Sequence, residues 1–293
     1  MGSFFKRYID LQMENRGKSG NRKNGYFFGK VLGSIEDLGK IFVDFAIWLG
    51  SFSMFIKDTF RWMFKRPYRL NAAVEQMMEV GVLSFPVVLF TAVFSGMVIS
   101  LQTFTGFKRF GAESMVGTVV ALSMTRELGP VLTGLIVAGR AGSAMTASLG
   151  TMRVTEQIDA LYTLATNPIK YLVVPRVIAA TLMLPILACL SDVIGILGGY
   201  VVAVFTLDAN PVTYLQRSFD YLEFNDVSSG LIKAAAFGFI ISIVGCYFGF
   251  YTEGGAEGVG KATTRSVVVA FLLIFLANYL LTATLFSETG VKF

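Results

Sequence analysis

Five stretches of the chain are apolar for long enough to cross a bilayer: Val80 to Ser100, Met115 to Ala138, Tyr171 to Thr206, Ser228 to Tyr251 and Ser266 to Phe286. Each meets the roughly 20 residues a helix needs to traverse about 30 Å of hydrocarbon. The third is too long for an upright span and contains Pro175, Pro185 and Asp192. It therefore reads either as one long kinked helix or as two short spans. Upstream, Ile41 to Ile56 is apolar but short and carries Asp44, and the basic stretch from Lys57 to Arg69 follows directly. This pattern predicts an elbow helix lying at the membrane interface, with a weak additional span as the alternative. The expected organisation is a polar cytosolic segment over 1–40, interfacial elbow helices over 41–79, a transmembrane domain over 80–287 and a short tail over 288–293.

Composition and charge set the solvent and the orientation. Of 293 residues, 54% are hydrophobic and 15% charged, which is too little polar surface for a water-soluble domain. The fold class is therefore an all-α integral membrane protein of about five transmembrane helices. Basic residues gather before the first span (Lys57, Arg61, Lys65, Arg66, Arg69), in the second connection (Arg140, Arg153, Lys170) and in the fourth (Lys261, Arg265). The third connection sets Arg217 against Asp208, Asp220, Glu223 and Asp226, and the first has Lys108 and Arg109. By the positive-inside rule the N-terminus is expected in the cytoplasm and the C-terminus outside. The N-terminal 25 residues show neither the apolar core of a signal peptide nor an acylation motif, since Lys6 stands where the latter needs a hydroxyl.

The chain has no histidine, which removes an imidazole base, a His-ligated metal and a Ser-His-Asp relay. Cys189 and Cys246 lie inside apolar runs and read as packing residues. No catalytic group, cofactor, metal or nucleic-acid partner is expected. Gly255 to Ala262, GAEGVGKA, fills the phosphate-loop pattern except at its last position, where Ala262 replaces the magnesium-binding hydroxyl. It also follows a membrane helix and not a strand. These glycines are expected to make a tight turn into the last span, with Thr263 or Thr264 near the helix start.

The second span holds Arg126 and Glu127 in mid-stretch, where each charge costs about 2.5 to 3.5 kcal/mol on insertion scales. Neighbouring helix positions diverge by about 100°, so each charge needs its own partner. Lys233, early in the fourth span, is a candidate to meet Glu127 or else to snorkel to the interface, and Asn278 adds a polar group in the fifth. A structural ion pair between helices and a polar lining for a substrate path are both open. Between the second and third spans, Val154, Ile158 and Leu161 recur at helical spacing while Arg153, Glu156, Gln157 and Asp159 take other faces. This predicts a short amphipathic helix on the cytoplasmic side, either an ordinary surface helix or a coupling helix docked in a motor subunit. Small residues cluster over Ala138 to Gly150, at Gly195, Gly198 and Gly199, and at Gly245 and Gly249, where helices can approach closely.

Three segments together resemble the MlaE-type permease family, the membrane subunits of Mla and Mce-associated lipid ABC transporters. They are TRELGPVLTGLIVAGRAGSAMTASLGTMRVTEQIDAL from Thr125 to Leu161, GVLSFPVVLFTAVFSGMVISLQ from Gly81 to Gln102, and GGAEGVGKATTRSVVV from Gly254 to Val269. The resemblance runs over roughly residues 60 to 287. It implies a permease in a bacterial inner membrane, forming a homodimer on two ATPase subunits. An MCE-domain lipid carrier would sit outside, often with a small STAS-domain protein inside, and the cargo would be phospholipid or a related lipid. Thr151 to Leu161 would be the ATPase-contacting helix, and Arg126, Glu127 and Lys233 polar residues of the lipid cavity, with Asn278 added on its position. Two departures stand out: Ser148 where the family often has an acid, and Asn278 where some members have aspartate. The competing reading is a secondary transporter or channel using the intramembrane charges, but the two halves of the chain show no repeat to support it.

Overall fold

The computed structural model describes residues 43, 46–66 and 69–287, with side chains to Leu285. The expected cytosolic segment over 1–40 and the tail over 288–293 lie outside the described residues. Two units divide the chain, Met1–Met54 and Phe55–Phe293. In the first, residues 46–54 are helical, with Trp48 stacked on Phe52 at 5.4 Å between ring centroids.

The second unit begins with helical residues 55–63 and continues through five long helices and two short ones. In chain order these are α1 (Leu70–Lys108), α2 (Glu113–Val154), α3 (Gln157–Thr163), α4 (Ile169–Phe205), α5 (Pro211–Asp220), α6 (Phe224–Phe250) and α7 (Gly255–Ser287). The five helices α1, α2, α4, α6 and α7 are long and apolar enough to span a membrane. The third apolar stretch is one helix, and Pro185 lies inside it. The helices α1, α2 and α7 outrun their apolar stretches by ten residues or more, because polar and amphipathic turns extend them beyond the hydrocarbon-sized core.

Hydrocarbon offers no hydrophobic drive between helices, so close approach depends on small residues. A Cβ on Gly96 of α1 would overlap the Gly195 carbonyl of α4, and one on Gly198 would meet the Val93 carbonyl at 2.5 Å. The α1–α4 seam is thus backbone on backbone. Thr146 of α2 plays the same part between three helices, its Oγ1 lying within hydrogen-bond reach of the Gly245 carbonyl of α6 at 3.0 Å and of Ser266 Oγ of α7 at 2.9 Å.

The turn into the last helix differs from the sequence expectation. Gly254 and Gly255, with φ of +89° and +68°, make the turn by themselves. Most of GAEGVGKA is already helix, and Thr263 bonds back to the Val259 carbonyl at 2.7 Å, two turns in.

Candidate functional site

Arg126 and Glu127 sit on a widened turn of α2, Met124–Leu128, where the backbone ladder steps from i+4 to i+5. Pro130 follows, and proline has no N–H with which to bond the Arg126 carbonyl one turn back. Lys233 of α6 takes that place. Its Nζ donates to the Arg126 carbonyl at 2.8 Å and to Glu127 Oε1 at 2.6 Å. The lysine side chain is fully buried while that of Glu127 is 39% exposed, so Lys233 meets Glu127 and does not snorkel outward. Glu127 receives two further hydrogen bonds from α7: Asn278 Nδ2 donates to Oε2 at 2.8 Å and Thr282 Oγ1 to Oε1 at 3.0 Å.

Arg126 turns the other way. Its Nε and Nη2 lie 2.7 and 2.6 Å from Asp226 Oδ1. Asp226 is buried, and its other oxygen accepts the Glu223 backbone N–H at 3.1 Å, half of the capping box that starts α6. Two neighbouring residues on one turn therefore make two separate ion pairs and draw α2, α6 and α7 together. Of the predicted polar set, Arg126, Glu127, Lys233 and Asn278 all converge here. Asp226 and Thr282 complete the network and escaped the sequence reading. Asp226 counted there as one acid of an external loop, although its place seven residues before Lys233, on the same helix face, was a usable signal. Both ends of the network are reachable from the surface, since the Arg126 side chain is also 39% exposed. On the same helix, a groove of about 600 Å³ between α1 and α2 is lined by Phe90, Phe94, Val98, Leu128 and Leu132.

At the other end of α2, the expectation of one helix from Thr151 to Leu161 is corrected. The helix α2 stops at Val154, and Glu156, with φ of +61°, breaks the chain before α3 begins at Gln157. An ion pair from Arg153 to Asp159, 2.6 Å long, braces the corner. Ile158 is fully buried and holds α3 onto the protein. Glu156, Gln157, Val154, Tyr162 and Leu164 are exposed, and Leu161 is half-buried. The outward surface of this corner is thus displaced towards the end of α3.

Lys261, the lysine of the phosphate-loop look-alike, pairs with Glu257 one helical turn back at 2.6 Å. A helix face of this kind cannot wrap phosphates as a glycine loop does. Cys189 and Cys246 are free thiols, and among the described residues no three metal-binding side chains come together. Arg176 of α4 is buried, donating to the Leu172 carbonyl at 2.8 Å and to Ser148 Oγ at 3.3 Å. Ser148 therefore faces a guanidinium at the position where the resemblance leads one to expect an acid.

Five apolar helices with polar groups paired between them define a multi-pass membrane protein. The model of the family described as Permease MlaE matches residues 73–284. A probable ABC transporter permease protein of Rickettsia felis is 52% identical over 88% of this chain and 99% of its own length. A probable ABC transporter permease protein of Synechocystis is 49% identical over 74% of the chain and 82% of its own length. The Arabidopsis thaliana protein Trigalactosyldiacylglycerol 1, chloroplastic, is 40% identical over 74% of the chain and 62% of its own length. The chain belongs to the MlaE permease family, and so is an ABC transporter permease, a transport subunit that works with an ATPase.

Proposed function

We propose that this permease moves phospholipid or a related lipid across or between the membranes of a bacterial envelope, driven by ATP hydrolysis on a separate subunit. The observation that carries the reading is the network of Arg126, Asp226, Glu127, Lys233, Asn278 and Thr282, half-open to the surface, in a protein whose helix α2 also lines an apolar groove. A lipid presents the same two chemistries: a charged headgroup for the polar wall and acyl chains for the groove. One relative is named after a glycosylated diacylglycerol, which supports a lipid cargo. The distribution of basic residues supports an inner-membrane orientation with the N-terminus cytoplasmic and the C-terminus periplasmic. The α2–α3 corner would then meet the ATPase, residues 41–79 would act as the elbow, and two copies of the chain would close the cavity. An MCE-domain carrier outside and a STAS-domain protein inside complete the proposed assembly.

The test is lipid transfer by the complex reconstituted with its co-purifying ATPase. Glu127→Ala should abolish most ATP-dependent transfer of a fluorescent phospholipid while the complex still assembles. Full transfer by Glu127→Ala would remove the cavity role. Ion flux by the chain alone would favour the channel reading instead.

A further inference from the structure

A second polar site lies away from this network, where α4 begins. Pro175 withholds an N–H from the Tyr171 carbonyl, as Pro130 does from Arg126. Arg69 reaches that carbonyl with Nη1 at 3.5 Å and lays its guanidinium over the Tyr171 ring at 3.5 Å from the centroid. Lys170 bonds the Arg66 carbonyl at 2.8 Å, and both Lys170 and Lys65 lie over the Trp62 ring, at 5.8 and 4.6 Å. Trp62, Arg69, Asn167, Lys170 and Tyr171 enclose a cavity of about 310 Å³. None of the ion pairs among the described residues involves Lys65, Arg66, Arg69 or Lys170. Lys65, Arg69 and Lys170 are thus gathered by aromatic rings and backbone carbonyls, and none of them is ion-paired among the described residues.

The surroundings say which anion would suit. Tyr171 opens the third apolar stretch, the level at which amphipathic rings mark a membrane interface. Arg69 leads directly into Leu70, Val74 and Met78, an exposed apolar row at four-residue spacing on the first turns of α1. A cationic pocket opening onto an apolar strip matches an anionic phospholipid, with its phosphate among the cations and its acyl chains along the strip. Basic pockets between membrane helices on the cytoplasmic side recognise lipid headgroups in this way.

We infer that Arg69, Lys170 and the rings of Trp62 and Tyr171 form a binding site for the headgroup of an anionic phospholipid, separate from the transport cavity. The orientation proposed above enters only to name the leaflet, the cytoplasmic one. A bound lipid would hold the start of α1 to the start of α4, just after the α2–α3 corner.

The chain has two tryptophans, so Trp48→Phe in the full-length protein leaves Trp62 as the sole reporter. In phosphatidylcholine vesicles, brominated phosphatidylglycerol should quench Trp62 at a several-fold lower mole fraction than brominated phosphatidylcholine does. Adding Arg69→Gln and Lys170→Gln should erase most of that preference, about fivefold per cation removed. Lys108→Gln, at the far end of α1, should leave it intact. Equal quenching by the two lipids, or a preference that survives the double substitution, would overturn the assignment. Loss of the preference in millimolar inorganic phosphate would make this a site for soluble anions, and shielding of Trp62 by the assembled ATPase would make it a protein contact. Either result also rejects the lipid. None of these readouts depends on transport, so they stand or fall apart from the proposed function.

Discussion

The pairings of Arg126 and Glu127 assign unequal weights to their partners. Lys233 is fully buried, whereas Glu127 is half-open and has two further donors, Asn278 and Thr282. Glu127→Ala therefore strands an ammonium in the interior, and losing one partner of a buried pair costs about 3 to 5 kcal/mol. Lys233→Met leaves a carboxylate that is still hydrogen-bonded and partly exposed, and should cost clearly less. Thermal unfolding in detergent should rank Glu127→Ala below Lys233→Met; the reverse order would mean that Glu127 is not the partner that stabilises the buried lysine. Exchanging Arg126 and Glu127 sets carboxylate against Asp226 and guanidinium against Lys233, so the swap should be less stable than either single change. Most of this network was legible in the sequence. Charges inside an apolar stretch demand partners, and their adjacency ruled out mutual neutralisation. Asp226 was harder to read, because the acids of a helix cap look like loop acids until the helix start is known, and only its seven-residue spacing from Lys233 pointed to it.

At the scale of elements, the bilayer makes span number readable and helix length hard to read. Hydrocarbon thickness sets a minimum apolar run, which is why five runs became five long helices. Nothing in that rule says where a helix stops once it leaves the membrane, and here turns such as Leu70–Met77 continue well beyond it. The break at Glu156 was hidden for a related reason: a left-handed residue is normally announced by glycine or asparagine, and this one is a glutamate. Two predictions follow from the packing. Gly96→Ala must push α1 off the α4 backbone, while Gly106, with open space around it, accepts a Cβ freely. The first should lose about 1 to 3 kcal/mol of unfolding free energy and the second about none, measured side by side. At the α2–α3 corner, Ile158→Asp puts a charge into the protein's own core and should lower the melting temperature of the isolated chain. Leu164→Asp changes an exposed apolar side chain. It should leave melting unchanged while reducing the ATPase recovered with the chain, about thirtyfold in affinity if Leu164 is an anchor worth 2 kcal/mol. Undiminished recovery would move the ATPase contact elsewhere.

At the scale of the molecule, the least covered span is α7, and it supplies two of the three side chains that hydrogen-bond Glu127. Ser266, Ala270, Ile274, Asn278 and Thr282 repeat every four residues, with the first three buried, and form the face turned towards α2 and α6. At about 100° per residue, Phe275 and Tyr279 fall immediately beside Asn278 and Thr282, whereas Leu280 falls on the opposite side. All three are exposed. A half-open cluster of charges at membrane depth is costly against lipid tails, so the edge beside it is where a second copy should close. In a Cys189→Ser background, which removes the exposed native thiol, Phe275→Cys and Tyr279→Cys should give disulfide-linked dimers on mild oxidation in native membranes. Leu280→Cys should not, because a disulfide needs Cα atoms within about 7 Å. Cross-linking at Leu280 alone would place the partner on the far side of α7. The charge network would then face lipid or water without a second copy, and the proposed shared cavity would be wrong.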